Sequence, residues 1–250
     1  MSPLLQTFSL LAVASLAFIT AAQSSPASMP ETDAAKVPLR IMPLGASITY
    51  GQGSSTGNGY RNDLHKLLTD SGYTVNMVGS RKHGSMKDND VEGWPGFLID
   101  EVQSKAEAAV PSRLPNVFIV NAGTNDCGRN FQLDGAGRRT DDLLEYLWKA
   151  SPDSTIILST LLINLYPVVE ARVEKVNAQI KEVARQKAAQ KKRIVLVDMH
   201  AADGPQKADL ADATHPNDAG YNKMAKIWFR GIQEAASKGF LKNPKPVPGA

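Results

Sequence analysis

One cysteine in 250 residues leaves Cys127 without a partner for an internal disulfide, so packing rather than covalent staples must hold this chain together. No Asn-x-Ser/Thr sequon occurs anywhere, so asparagine glycosylation is not expected. Glycine spacing rules out two nucleotide-binding patterns: there is no Gly-Lys-Ser/Thr and no Gly-x-Gly-x-x-Gly. Charge of one sign is also missing, because 28 basic residues stand against 25 acidic ones for a net charge of +3. The longest basic cluster, Lys191-Lys192-Arg193, falls where a helix should meet a strand and suits a solvated helix end. Nucleic-acid binding therefore has no footprint here.

Charge is absent altogether from one place, the first 22 residues, which contain no Asp, Glu, Lys or Arg. The apolar run from Phe8 to Ala22 is shorter than the ~20 residues needed to cross a bilayer and ends in small residues. It reads as a signal peptide over 1–22 that lacks the usual basic n-region, so the protein is expected outside the cell, without stable membrane association. The Ser-, Ala- and Pro-rich stretch that follows reads as a linker over 23–38. A domain over 39–238 and a C-terminal tail over 239–250 complete the expected organisation. No internal repeat is present. With 42% hydrophobic residues, the chain can bury one ample core without a metal or cofactor, and it is expected to act as a monomer.

Short apolar runs at 39–44, 74–78, 116–121, 155–161 and 193–198 are mostly rich in β-branched residues and read as strands. Between them lie helical spacings: Tyr60, Leu64, Leu67 and Leu68 share one face, and Val169, Val173, Val176, Ile180 and Val183 share another. A last helix carries Tyr221, Met224, Ala225, Trp228 and Ile232 on one side. Alternating strands and helices predict an α/β fold: a three-layer α/β/α sandwich around a mostly parallel five-stranded sheet. Chemistry in such folds gathers beyond the carboxyl ends of the strands.

At those ends stand four candidate elements. Ser47 follows the first strand in "PLGASIT", where small neighbours permit a sharp turn; a turn or N-cap serine and a nucleophile both fit. Gly79 ends the second strand in "MVGS", with an N–H free to donate. Asn125 lies in "GTND" after the third strand, where its amide can donate to an oxyanion without carrying charge. Asp212 stands three residues before His215 in "DATHP", a spacing at which a carboxylate can fix the imidazole tautomer and leave the other nitrogen as a base. The remaining histidines, His65, His83 and His200, have no comparable local partner. Ser55, at the centre of "GSSTG", matches a nucleophile-elbow pattern, but no strand precedes it. The "KDND" stretch over 87–90 reads as a solvated turn rather than a calcium loop.

"GASIT", Gly79, "GTND" and "DATHP", in that order and after successive strands, resemble the four blocks of the SGNH hydrolases, the GDSL-type esterase and lipase superfamily. The resemblance runs from about Arg40 to Trp228. It implies a flavodoxin-like SGNH hydrolase fold, a catalytic triad of Ser47, His215 and Asp212, an oxyanion hole formed by Ser47, Gly79 and Asn125, and no metal. The superfamily's Gly-Asp-Ser reads Gly-Ala-Ser here, so Ala46 brings no carboxylate beside the serine. Within the superfamily, "MPLGASITYG", "VEGWPGFLI" and "VDMHA" resemble secreted carbohydrate acetylesterases, including acetyl xylan esterases. That implies an acetylated polysaccharide or small ester as substrate, with Trp94 placed to stack on a sugar ring or to pack its own loop. Two other functions fit the same blocks: a lipase or lysophospholipase acting on longer acyl chains, and a catalytically weak polysaccharide-binding relative.

Overall fold

In a computed structural model, residues 36–247 are described; the expected signal peptide and most of the expected linker lie outside them. Runs of β-branched and aliphatic residues form the central strands β1 (Leu39–Gly45), β5 (Val117–Asn121), β6 (Thr155–Ser159) and β7 (Ile194–Val197), all parallel neighbours. Alternation along them sorts side chains to two faces. Met42, Leu44, Phe118, Val120, Ile156 and Leu158 enter one core, while Ile41, Val117, Ile119, Ile157 and Val195 enter the other. The first core is closed by helices α3 (Ile99–Ala109), α5 (Ala136–Ala150) and α6 (Pro167–Ala189). The second is closed by α2 (Arg61–Asp70) and α7 (Asp218–Ser237), where Tyr60, Tyr221 and Trp228 are fully buried and Tyr60 packs on the other two rings. Three layers result, as expected.

The sheet has seven strands rather than five. Two short additions, β3 (Arg81–Lys82) and β4 (Asp90–Gly93), are too polar and too brief to show an apolar run. Their placement decides the geometry of the site. Along one edge of β1, the lower part pairs with β2 (Val75–Met77), through Leu39 to Ile41. The upper part pairs instead with β4, Leu44 opposite Glu92 and Gly45 opposite Gly93. Thus β4, not β2, flanks the carboxyl end of β1.

Residues 239–247, the described part of the expected tail, lie on the domain. Thr155 Oγ1 donates to the Phe240 carbonyl at 2.9 Å, Asn116 Nδ2 donates to the Lys242 carbonyl at 2.7 Å, and Leu241 is buried. No helix among the described residues is long and apolar enough to cross a membrane.

Candidate active site

Ser47 opens α1 (Ser47–Tyr50), a single turn directly after β1. Gly45 is required just before it: a Cβ there would stand 2.2 Å from the Asn121 carbonyl and 2.4 Å from Thr49 Oγ1. The turn closes at Gly51, whose φ of 102° is left-handed. Tyr221 pins it from α7, donating its hydroxyl to the Gln52 carbonyl at 2.6 Å with the Ile48 carbonyl at 3.2 Å. Ser47 is therefore held on a short, braced turn and is only 7% exposed.

The opposite wall is the loop before α7. Ala211 N–H donates to the His215 carbonyl at 2.8 Å, and Asn217 N–H to the Asp209 carbonyl at 2.9 Å, closing a tight hairpin. Lys223 on α7 grips its base through Asp209 at 2.6 Å. Within the hairpin Asp212 Oδ1 accepts from the N–H groups of Thr214 and His215, both at 2.8 Å. Its other oxygen meets His215 Nδ1 at 2.8 Å, and His215 Nε2 reaches Ser47 Oγ at 2.9 Å. Partial burial opposes ionisation of Asp212, yet the His215 N–H, the His215 ring and the Thr214 N–H together hold its carboxyl below the usual range. Asp212 thus stays anionic and fixes the proton on Nδ1, which leaves Nε2 as the acceptor for the serine hydroxyl.

Gly79 does not join this group. Continuing the β2 register places it level with Pro43, four positions before Ser47, on the order of 13 Å back along a strand. The β4 backbone packs against it, for a Cβ on Gly79 would stand 2.2 Å from the Val91 carbonyl carbon. Its predicted place beside Ser47 is taken by the end of β4. There Trp94 N–H bonds the Gly45 carbonyl at 2.9 Å, and a turn follows in which Phe97 N–H donates back to the Trp94 carbonyl at 3.1 Å. Pro95 and Gly96, with Gly96 at φ 85°, are the central pair of a type II turn. Among the described residues, neither the Ser47 N–H nor the Gly96 N–H has a hydrogen-bond partner.

Asn125 lies beside that turn. It belongs to α4 (Thr124–Arg129), and its Nδ2 donates to the Phe97 carbonyl at 2.9 Å, leaving a second amide hydrogen free. Behind it, fully buried Asp126 pairs with Arg139 and accepts from Ile99 N–H at 3.2 Å, which fixes the start of α4 against α3. Three cations surround the turn. Arg129 donates to the Gly96 carbonyl at 2.7 Å, Arg81 donates to the Gly93 carbonyl at 2.9 Å, and Lys105 lies 4.4 Å from the Trp94 ring centroid. Such a setting favours negative charge developing nearby.

Trp94 is already occupied. Arg81 and Lys105 lie over its ring, Phe97 stacks on it at 5.5 Å, and its Nε1 donates to buried Glu92 at 2.7 Å. The indole anchors the turn rather than presenting a free face to a sugar. Ser55 sits in a turn, where its N–H bonds Asp218 at 2.9 Å. Asp88 accepts from Met77 N–H and Asp90 pairs with Lys82, so both carboxylates of the 87–90 stretch have partners outside it. No metal-binding cluster occurs among the described residues.

A partner for His200 escaped sequence reading: Glu170, thirty positions away on α6, meets its Nε2 at 2.6 Å. The other oxygen of Glu170 accepts from Asn164 N–H at 2.6 Å, and Asn164 Nδ2 donates to Thr214 Oγ1 at 2.9 Å. This chain of bonds supports the hairpin carrying Asp212 and His215.

Residues 44–223 match the GDSL-like lipase/acylhydrolase family. A multidomain esterase of Ruminococcus flavefaciens is 30% identical over 86% of the chain, which spans only 30% of that protein's length. A family 3 carbohydrate esterase of Clostridium thermocellum superposes with a TM-score of 0.72 at 26% identity, covering 80% of this chain and 98% of its own. A second family 3 carbohydrate esterase, from Talaromyces cellulolyticus, has the same fold, with a TM-score of 0.69 at 22% identity over 80% of this chain and 99% of its own.

Proposed function

Because the chain belongs to the GDSL-like lipase/acylhydrolase family and is a carboxylic ester hydrolase of the SGNH type, we propose that it removes acetyl groups from carbohydrate through an acyl-enzyme on Ser47. The observation that carries this reading is the unbroken relay from Asp212 through His215 to Ser47 Oγ, with contacts of 2.8 and 2.9 Å. In the first step Ser47 Oγ attacks the acetyl carbonyl carbon while its proton passes to His215 Nε2. The oxyanion accepts from the Ser47 N–H, the Gly96 N–H and the second amide hydrogen of Asn125. His215 then returns the proton to the departing sugar oxygen. Water, deprotonated by His215, attacks the acetyl-serine; the bond to Ser47 Oγ breaks as His215 returns the proton to that oxygen, and acetate leaves. Asp212 keeps its charge throughout and stabilises the imidazolium.

The cleft touching Ser47 is bounded by Ala46, Ile48, Asn121, Ala122, Gly123 and Thr124. Carbohydrate as the alcohol is supported by the similarity to the Clostridium enzyme. Acetate release from acetylated xylan, measured beside hydrolysis of matched small acetate and octanoate esters, tests both parts. Release from xylan with a strong preference for acetate over octanoate is expected; preference for octanoate would favour a lipase. Binding of acetylated glycan without hydrolysis of any ester would favour the polysaccharide-binding alternative.

Asn125→Ala removes one oxyanion donor and should lower kcat by roughly 10² to 10³ with little change in KM. Steady-state kinetics on a small acetyl ester checks it. An equal loss through KM alone would remove Asn125 from the oxyanion site.

A further inference from the structure

Large hydrophobic side chains that face solvent are few among the described residues, and they fall together: Leu165 at 37% exposure, Tyr166 at 63% and Val168 at 66%. Their segment joins β6 to α6, at the carboxyl end of the sheet where Ser47 lies. It is bonded directly to the catalytic hairpin. Leu165 N–H donates to the Ala213 carbonyl at 2.9 Å, and next to it Asn164 Nδ2 holds Thr214. Exposure of an aromatic ring at the rim of a site calls for an occupant, because a patch next to bound substrate is more informative than a scattered apolar residue.

Tyr166 is also held in place before any ligand arrives. Its N–H donates to Asn164 Oδ1 at 3.0 Å, and its carbonyl accepts from Val169 and Glu170 N–H, both at 2.9 Å. Pro167 follows at the first position of α6 and fixes the helix entry. The Glu170–His200 pair braces the same turn. Backbone freedom is thus already spent, which lowers the entropy lost when a ligand settles on the ring. Among the described residues the phenol hydroxyl has no hydrogen-bond partner, so the side chain offers both an apolar face and a free polar edge. A neutral sugar ring matches both, with C–H groups for the face and hydroxyls for the edge. An alkyl chain would use the face alone.

We propose that Tyr166, flanked by Leu165 and Val168, is a stacking platform for a sugar of the glycan chain next to the acetylated residue. This rests on the carbohydrate reading above and adds the residue that extends recognition beyond the ester. Trp94, engaged by Arg81, Lys105 and Phe97, does not take that role.

The test compares wild type, Tyr166→Ala and Tyr166→Phe on acetylated xylo-oligosaccharides, a small aryl acetate and a small aryl octanoate. Tyr166→Ala should raise KM on the oligosaccharides roughly five- to tenfold, with kcat unchanged and the aryl acetate rate unaltered; Tyr166→Phe, which keeps the face, should lose much less. Unchanged oligosaccharide kinetics in Tyr166→Ala overturns the platform, as does an equal loss on the aryl acetate, which would mark a structural role of the turn. Loss confined to the octanoate overturns it in favour of an acyl-chain surface. If wild type cleaves the aryl acetate but no acetylated oligosaccharide, the carbohydrate reading itself has failed and the platform falls with it.

Discussion

Ser47→Ala should lower kcat for acetyl ester hydrolysis by about 10⁶, the loss expected when a triad nucleophile is removed from an otherwise intact site. The substitution deletes only the hydroxyl on a turn that remains braced by Gly51 and by the Tyr221 hydroxyl. Folding should survive, because among the described residues the one hydrogen bond of Ser47 Oγ is to His215 Nε2. Substrate binding and the oxyanion donors persist as well, so a residue of rate above water is expected. Kinetics with an active-site-free blank, together with an unchanged thermal transition, checks the prediction. A loss of less than tenfold in correctly folded protein would place the nucleophile elsewhere.

His215→Ala should cost nearly as much, and the Ser47→Ala/His215→Ala double variant little more than either single one. Serine and base act as a unit: without Nε2 to take the proton, the hydroxyl stays a weak nucleophile, and without the hydroxyl the base has no work to do. Asp212→Asn should lower kcat by about 10⁴, since an amide in place of the carboxylate favours the wrong imidazole tautomer. It also loses the anion that the Thr214 and His215 N–H groups hold below the ordinary carboxylate range. Additive losses in the double variant would contradict a shared proton relay.

Legibility in the sequence followed the length and polarity of each element. Strands such as Val117–Asn121 and Thr155–Ser159 are short, buried and β-branched, so composition alone located them. Asp212 and His215 were legible because three residues and a following Pro216 keep their contact local. The glycine proposed as the second oxyanion donor was not. Motif order pointed to Gly79 at the end of β2, whereas the four-residue strand Asp90–Gly93, carrying Asp and Glu, displaces β2 from the upper half of β1. That exchange moves the free N–H to the Pro95–Gly96 turn, whose Pro-Gly pair was visible as a turn but not as a neighbour of Ser47. Of the two roles open to Trp94, the contacts that pack it into its own loop were hidden for a related reason: Arg81 and Lys105 come from β3 and α3, and neither contact has a local signature. The Glu170–His200 pair likewise joins α6 to the turn after β7.

The most direct measurement is covalent trapping: the protein is treated with an alkyl fluorophosphonate and the modified peptide is mapped by mass spectrometry, beside His215→Ala. The account predicts one adduct, on Ser47, formed together with loss of esterase activity and strongly slowed in His215→Ala. An adduct on Ser55 or another residue, or full activity in protein labelled at Ser47, would contradict it.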